Sequence, residues 1–103
     1  MIDLDKKQKE VIENKIKHGW NTTNIPEEFC YLYGEVAEAY DAWSKGMDKE
    51  DISLELADVA IYTLGLAEML DISLEDAIQK KIAINERRVY VNGKKIEPTD
   101  TKK

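Results

Sequence analysis

The sequence predicts an all-α fold of four helices with a short irregular or hairpin C-terminal tail, and three observations carry that prediction. Charged residues make up 35% of the chain and apolar ones 43%, whereas Gly (5) and Pro (2) are sparse. That mix favours helices over a β-sandwich or a disordered chain. Apolar residues fall at helical spacing in successive segments. Between those segments stand cap and turn residues: His18-Gly19, Asn24 ahead of Pro26, Lys45-Gly46 ahead of Asp48, and Ser73. With 103 residues the chain holds one domain and one core. The expected division is a helical domain over 1–91 and a basic, flexible tail over 92–103.

The first helix runs from about Asp3 to His18, with Val11, Ile12 and Ile16 forming a thin apolar stripe on a Lys/Glu-rich rod. Gly19 is a left-handed cap, and Trp20-Asn21-Thr22-Thr23-Asn24 reads as a polar loop. The second helix begins at Asn24 or Ile25, with Pro26 in its first turn and Glu27-Glu28 complementing the helix dipole. It continues through Leu32, Val36, Ala39 and Trp43 to Lys45-Gly46. Asp48 caps a third helix, from about Lys49 to Leu70, that is apolar on nearly every side. Such a helix packs against more than one neighbour, so the core is expected to be completed by oligomerisation. Ser73, with Asp76 three residues on, starts a fourth helix carrying Leu74, Ala77, Ile78, Ile82 and Val89. Asn92-Gly93 is a hairpin turn signal, and beyond Pro98 the chain is expected to be disordered.

Composition also excludes. No apolar run approaches the roughly 20 residues of a membrane span. Met1–Lys7 has no apolar signal core, and the single Cys30 cannot form an internal disulfide; both predict a cytoplasmic chain, with Cys30 a small core or interface residue. The net charge of −6 divides unevenly: up to Ile78 there are 18 acidic and 7 basic residues, and from Gln79 onward 3 acidic and 8 basic. An acidic body argues against nucleic-acid polymers as partners. The basic C-terminal stretch suits an anionic small molecule whose metal sits on the acidic side, although a basic helix end also complements its own dipole.

The acidic side has a pattern. Glu35 and Glu38 stand one turn apart in the second helix, on a stripe shared with Glu28, and Glu55 and Asp58 stand one turn apart in the third. Most Glu residues on amphipathic helices are simply solvated. These four, however, have no Lys or Arg three or four residues away to offset like-charge repulsion. Four carboxylates from two adjacent helices suit a hard divalent cation with oxygen ligands. On the fourth helix Lys81, Asn85 and Arg88 follow at helical spacing on one face, as donors for phosphate. Trp20, Trp43 and Tyr62 are candidate base contacts, for which core or interface packing is the ordinary alternative. The lone His18 reads as a helix-end cap.

Glu35-x-x-Glu38, sixteen residues, then Glu55-x-x-Asp58 resembles the signature of the all-α, MazG-like nucleoside triphosphate pyrophosphohydrolases. Glu55–Tyr62 is similar to that family's second helix, and Ser73–Ile78 followed by Lys81, Asn85 and Arg88 to its next one. The resemblance covers roughly Pro26 to Tyr90. It implies a MazG-like four-helix bundle that works as a homodimer or homotetramer and hydrolyses a nucleoside triphosphate, foremost a deoxynucleotide or a non-standard one, to the monophosphate and pyrophosphate. It further implies Mg2+, for which Mn2+ can substitute, on Glu35, Glu38, Glu55 and Asp58, and phosphate contacts from Lys81, Asn85 and Arg88. The general base is Glu38 by first choice and Glu35 by second. A catalytically inactive helical nucleotide-binding or scaffold module, and a pyrophosphohydrolase of another phosphorylated nucleotide intermediate, are the alternatives. The region before Pro26 matches nothing in the pattern and leaves the base unassigned.

Overall fold

The computed structural model describes residues 1–96. It has four helices, α1 (Leu4–His18), α2 (Ile25–Ser44), α3 (Lys49–Met69) and α4 (Leu74–Glu86), followed by a hairpin of β1 (Val89–Val91) and β2 (Lys94–Ile96). The stretch beyond Pro98 lies outside the described residues. No described helix is long and apolar enough to cross a membrane.

Side-chain caps set the helix starts. Asp3, Asn24, Asp48 and Ser73 accept from the backbone N–H of Lys6, Glu27, Asp51 and Asp76, respectively, each satisfying one orphan donor of a first turn. Gly19 closes α1 in the left-handed conformation, at φ 71°. At the end of α3 the same geometry falls on Asp71, at φ 58°, so that Ile72 N–H reaches Ala67 O at 2.8 Å. Asn92 and Gly93 both have positive φ (51° and 79°), the pair of values a type I′ turn needs, and Val91 pairs with Lys94 across it.

The short link after Ser44 turns the chain back so that α2 and α3 pack along each other, and α1 lies across α3. The buried apolar residues are few and mostly small: Ala39 and Ala42 from α2, and Leu64, Leu66 and Ala67 from α3. At Gly65 α1 comes close, for a Cβ there would stand 3.3 Å from Val11 Cγ1. Buried Gln8 ties α1 to the turn before α4. Its amide donates to Glu68 Oε1 (3.1 Å) and Ile72 O (2.8 Å), and its oxygen accepts from Leu74 N (2.7 Å). Ser73 Oγ donates to Asp5 Oδ1 at 2.7 Å, and Leu4 N–H donates to Glu75 Oε1 at 3.0 Å.

Only the start of α4 is tied down in this way, and α4 packs chiefly on α1. The radius of gyration is 17.1 Å, against about 13 Å for a compact domain of this size. Much of the apolar surface is accordingly open. Val36, Trp43 and Leu56 are exposed, as are Tyr33, Tyr40, Leu54 and Ile82. Period alone groups these residues on faces; the seam covers only one face of each helix. Cys30 is also exposed in the single chain rather than part of its core.

One helix boundary differs from expectation. α4 stops at Glu86, with Arg87 as its cap, so Arg88 lies between helix and hairpin and Val89 lies in β1 opposite Ile96. The register imposed by Asn92-Gly93 pulls Val89–Val91 into extended pairing and overrides the helix-favouring run before it.

Candidate functional site

Packing α2 on α3 brings three carboxylates together. Glu35, Glu55 and Asp58 each present one oxygen such that all three oxygens lie within 4.8 Å of one another. The one-turn spacing sets Asp58 beside Glu55 on α3, and the seam carries Glu35 across to them. Glu38 joins from the outer side through a side-chain hydrogen bond with Glu35. That hydrogen bond, followed by burial and then by the charges of Glu38, Asp58 and Glu55, pushes the Glu35 carboxyl up to about 7. Its Oε2 is buried with no hydrogen-bond partner.

These groups fit a divalent metal. Oxygens bound at about 2.0–2.6 Å around one cation are at most about 4–5 Å apart, a range that the triplet approaches. All donors are carboxylate oxygens, the ligand type of Mg2+ and Mn2+ rather than of a soft metal. A cation would remove the proton that Glu35 otherwise holds and satisfy its orphaned Oε2.

A cavity of about 720 Å³ opens beside the carboxylates, between α1 and the α2–α3 pair. Glu35 and Asp58 lie at one part of its wall, together with Tyr62, Lys15, Glu28 and Trp20. Tyr62 sits one turn beyond Asp58, and its phenol is raised by burial first and then by the charges of Glu35, Glu28, Asp58 and Glu38. Trp20 is exposed and stacks on His18 with ring centroids 4.6 Å apart, while His18 Nδ1 lies 2.8 Å from Asn14 O, its own helix end. Trp43 is elsewhere: it packs near Tyr40 (5.9 Å) on the exposed side of α2 and does not line the cavity.

The cationic residues are not brought to the carboxylates of their own chain. Lys81 and Asn85 are exposed on the outer half of α4, Arg88 follows the helix, and none of the three lines the cavity. Among the described residues the ion pairs are Lys7–Glu10 and Lys15–Glu28, and neither Lys81 nor Arg88 is in one.

The second of these ion pairs escaped the reading of the sequence. Lys15 Nζ meets Glu28 Oε1 at 2.8 Å, with side chains only 9% and 2% exposed. Asn21 Nδ2 donates to the same oxygen at 3.2 Å. Glu28 stood out as a first-turn acid and a stripe-mate of Glu35, and Lys15 as one lysine on a polar face; they are thirteen residues apart across a loop, beyond any local spacing rule.

Searches among curated proteins and solved structures return no match. The model of the MazG-like family matches residues 24–100, from the α2 cap through both acidic pairs and α4, leaving α1 and Trp20 outside. The match spans most of the chain and contains the three clustered carboxylates, and the chain therefore belongs to the MazG-like family.

Proposed function

We propose that the chain is a magnesium-dependent nucleotide pyrophosphohydrolase that converts a nucleoside triphosphate, a deoxynucleotide or a non-standard one foremost, to the monophosphate and pyrophosphate. The observation that carries this reading is the meeting of Glu35, Glu55 and Asp58 from two helices with no basic side chain among them. Family membership supports the reaction class. Glu35, Glu38, Glu55 and Asp58 would hold Mg2+, with Mn2+ able to replace it. The bound ion supplies charge for the phosphate oxygens and acidity for a water.

The residues of the chain have separable roles. Glu38, exposed and outside the closest triplet, is the one of the four carboxylates that would take the proton of the attacking water. The water oxygen attacks the α-phosphorus and the bond to the leaving pyrophosphate breaks. Lys81, Asn85 and Arg88 bind phosphate oxygens. Because α4 carries its cations away from its own carboxylates, they serve the site of a second copy, and the working form is a homodimer or a pair of dimers. The substrate is drawn from the cytoplasmic nucleotide pool.

The test is a panel of ribo- and deoxynucleoside triphosphates incubated with Mg2+, scoring pyrophosphate against orthophosphate. Pyrophosphate release that disappears with EDTA and falls at least about 100-fold in Glu55→Gln is expected, since even outer-shell losses cost 10–100-fold. Orthophosphate as product, or no release from any nucleotide, would reject the reading.

A further inference from the structure

The buried ion pair between α1 and α2 has no part in the chemistry just described, yet it faces the same cavity. Glu28 is 1% exposed, and its Oε1 is used twice, by Lys15 Nζ at 2.8 Å and by Asn21 Nδ2 at 3.2 Å. Its Oε2 is buried and accepts nothing. Lys15 Nζ has Glu28 as its only side-chain acceptor among the described residues and lies 5.6 Å from the centroid of the Tyr62 ring. A buried ion pair left half satisfied is a poor device for stability, because an unpaired acceptor away from water costs the full loss of its hydration. Something with an N–H would complete it.

Position says what that something is. Glu28 lies two helical turns before Glu35 on α2, about 10 Å along the axis. The Tyr62 ring lines the same cavity, with its centroid 5.6 Å from Lys15 Nζ. The cavity wall thus combines two carboxylates of the cluster, Glu35 and Asp58, with an aromatic face and a fixed acceptor beside a fixed cationic donor. A nucleotide held by its phosphates at the carboxylate cluster places its base at that acceptor.

We propose that Glu28, set by Lys15 and Asn21, is a specificity-determining residue that reads the hydrogen-bonding edge of the base, with Glu28 Oε2 accepting a base N–H and Lys15 donating to the adjacent base acceptor. The inference rests on the nucleotide reading above. The ligand class is a nucleotide whose base carries an N–H next to a carbonyl or ring-nitrogen acceptor; a base without an N–H on that edge leaves Oε2 unpaired and is rejected. Lys15 and Asn21, which set Glu28, precede the stretch matched by the family model, whereas Glu28 itself lies within it.

The experiment is calorimetric binding of α,β-imido nucleoside triphosphates to the full chain with Mg2+, comparing the four common bases with 2-pyrimidinone, which has no N–H on that edge. Inorganic tripolyphosphate serves as the base-free probe. Wild type is expected to bind the best common base at least about tenfold tighter than 2-pyrimidinone. Glu28→Gln, and the pair Lys15→Met with Glu28→Gln, should erase that difference and leave tripolyphosphate affinity unchanged. The double variant exchanges one net-neutral pair for another and strands no buried charge, so it keeps the test available if the single variant fails to fold. A difference that persists in the folded variants, an equal loss for tripolyphosphate, or no nucleotide binding by wild type overturns the proposal. Base-dependent binding that needs Glu28, without pyrophosphate release from hydrolysable nucleotides, upholds it and rejects only the pyrophosphohydrolase reading.

Discussion

Glu35 and Glu38 stand one turn apart on α2, and the hydrogen bond between their carboxyl groups is the first cause that raises Glu35 to about 7. Two carboxylates at this spacing repel when both are ionised, and Asp58 and Glu55 add to the repulsion from α3. A cation bound among these carboxylates would relieve that repulsion.

A pH dependence with a definite sign follows. The Glu35 carboxyl is raised in the folded chain from the usual 4.5 to about 7, so the folded state holds this proton more tightly than the unfolded state does. Its contribution to stability is whole below about pH 4.5 and is lost as pH rises through about 7. Thermal melts in EDTA should show Tm falling across that window, and Glu35→Gln should flatten that fall. Mg2+ should act in the opposite sense, binding more tightly as pH rises to about 7 and releasing up to about one proton per ion, read by calorimetry in buffers of different ionisation enthalpy. Mg2+ affinity independent of pH between 5 and 7.5 would remove Glu35 from the ligand set.

Gly65 tests the packing that makes the cavity. Its missing Cβ admits Val11 Cγ1 of α1, and the same Cβ would stand 4.0 Å from Lys15 Cδ. Gly65→Leu must push α1 away from α3, and overpacking of this kind costs about 1–3 kcal/mol. The expected outcome is a lower midpoint in urea unfolding. A variant as stable as the parent would mean that α1 is not seated on α3 at this point.

What was legible in the sequence follows the range of the interactions. Caps act over three residues, so Asn24, Asp48 and Ser73 announce α2, α3 and α4 directly. The acidic pairs are equally local, and their meeting needs only the assumption that two apolar helices joined by a short link pack together. Lys15–Glu28 depends on how a loop returns the chain, and nothing in either residue's neighbourhood specifies it. Period placed Val36 and Trp43 on a face without saying what covers that face. The end of α4 was misplaced because Glu86-Arg87-Arg88 contains no stop signal; the hairpin that follows decides it.

The exposed apolar residues and the unused cations of α4 make one further prediction, about who completes the site. Ile78 and Ile82 are exposed on the helix that carries Lys81 and Asn85, so burying that helix against a second copy would deliver its cations at the same time. Two inactive variants then distinguish the arrangements. Glu55→Gln damages only the carboxylate side, and Lys81→Ala with Arg88→Ala only the cationic side. Each should be inactive alone, since each charge-assisted phosphate contact contributes about 1.5–3 kcal/mol. If sites form between copies, mixed dimers contain one site with intact carboxylates from one chain and an intact α4 from the other. Refolding an equimolar mixture should then restore about a quarter of wild-type activity, because half of the dimers are mixed and each has one good site. If each chain supplied its own cations, both sites of a mixed dimer would be defective and the mixture would stay inactive.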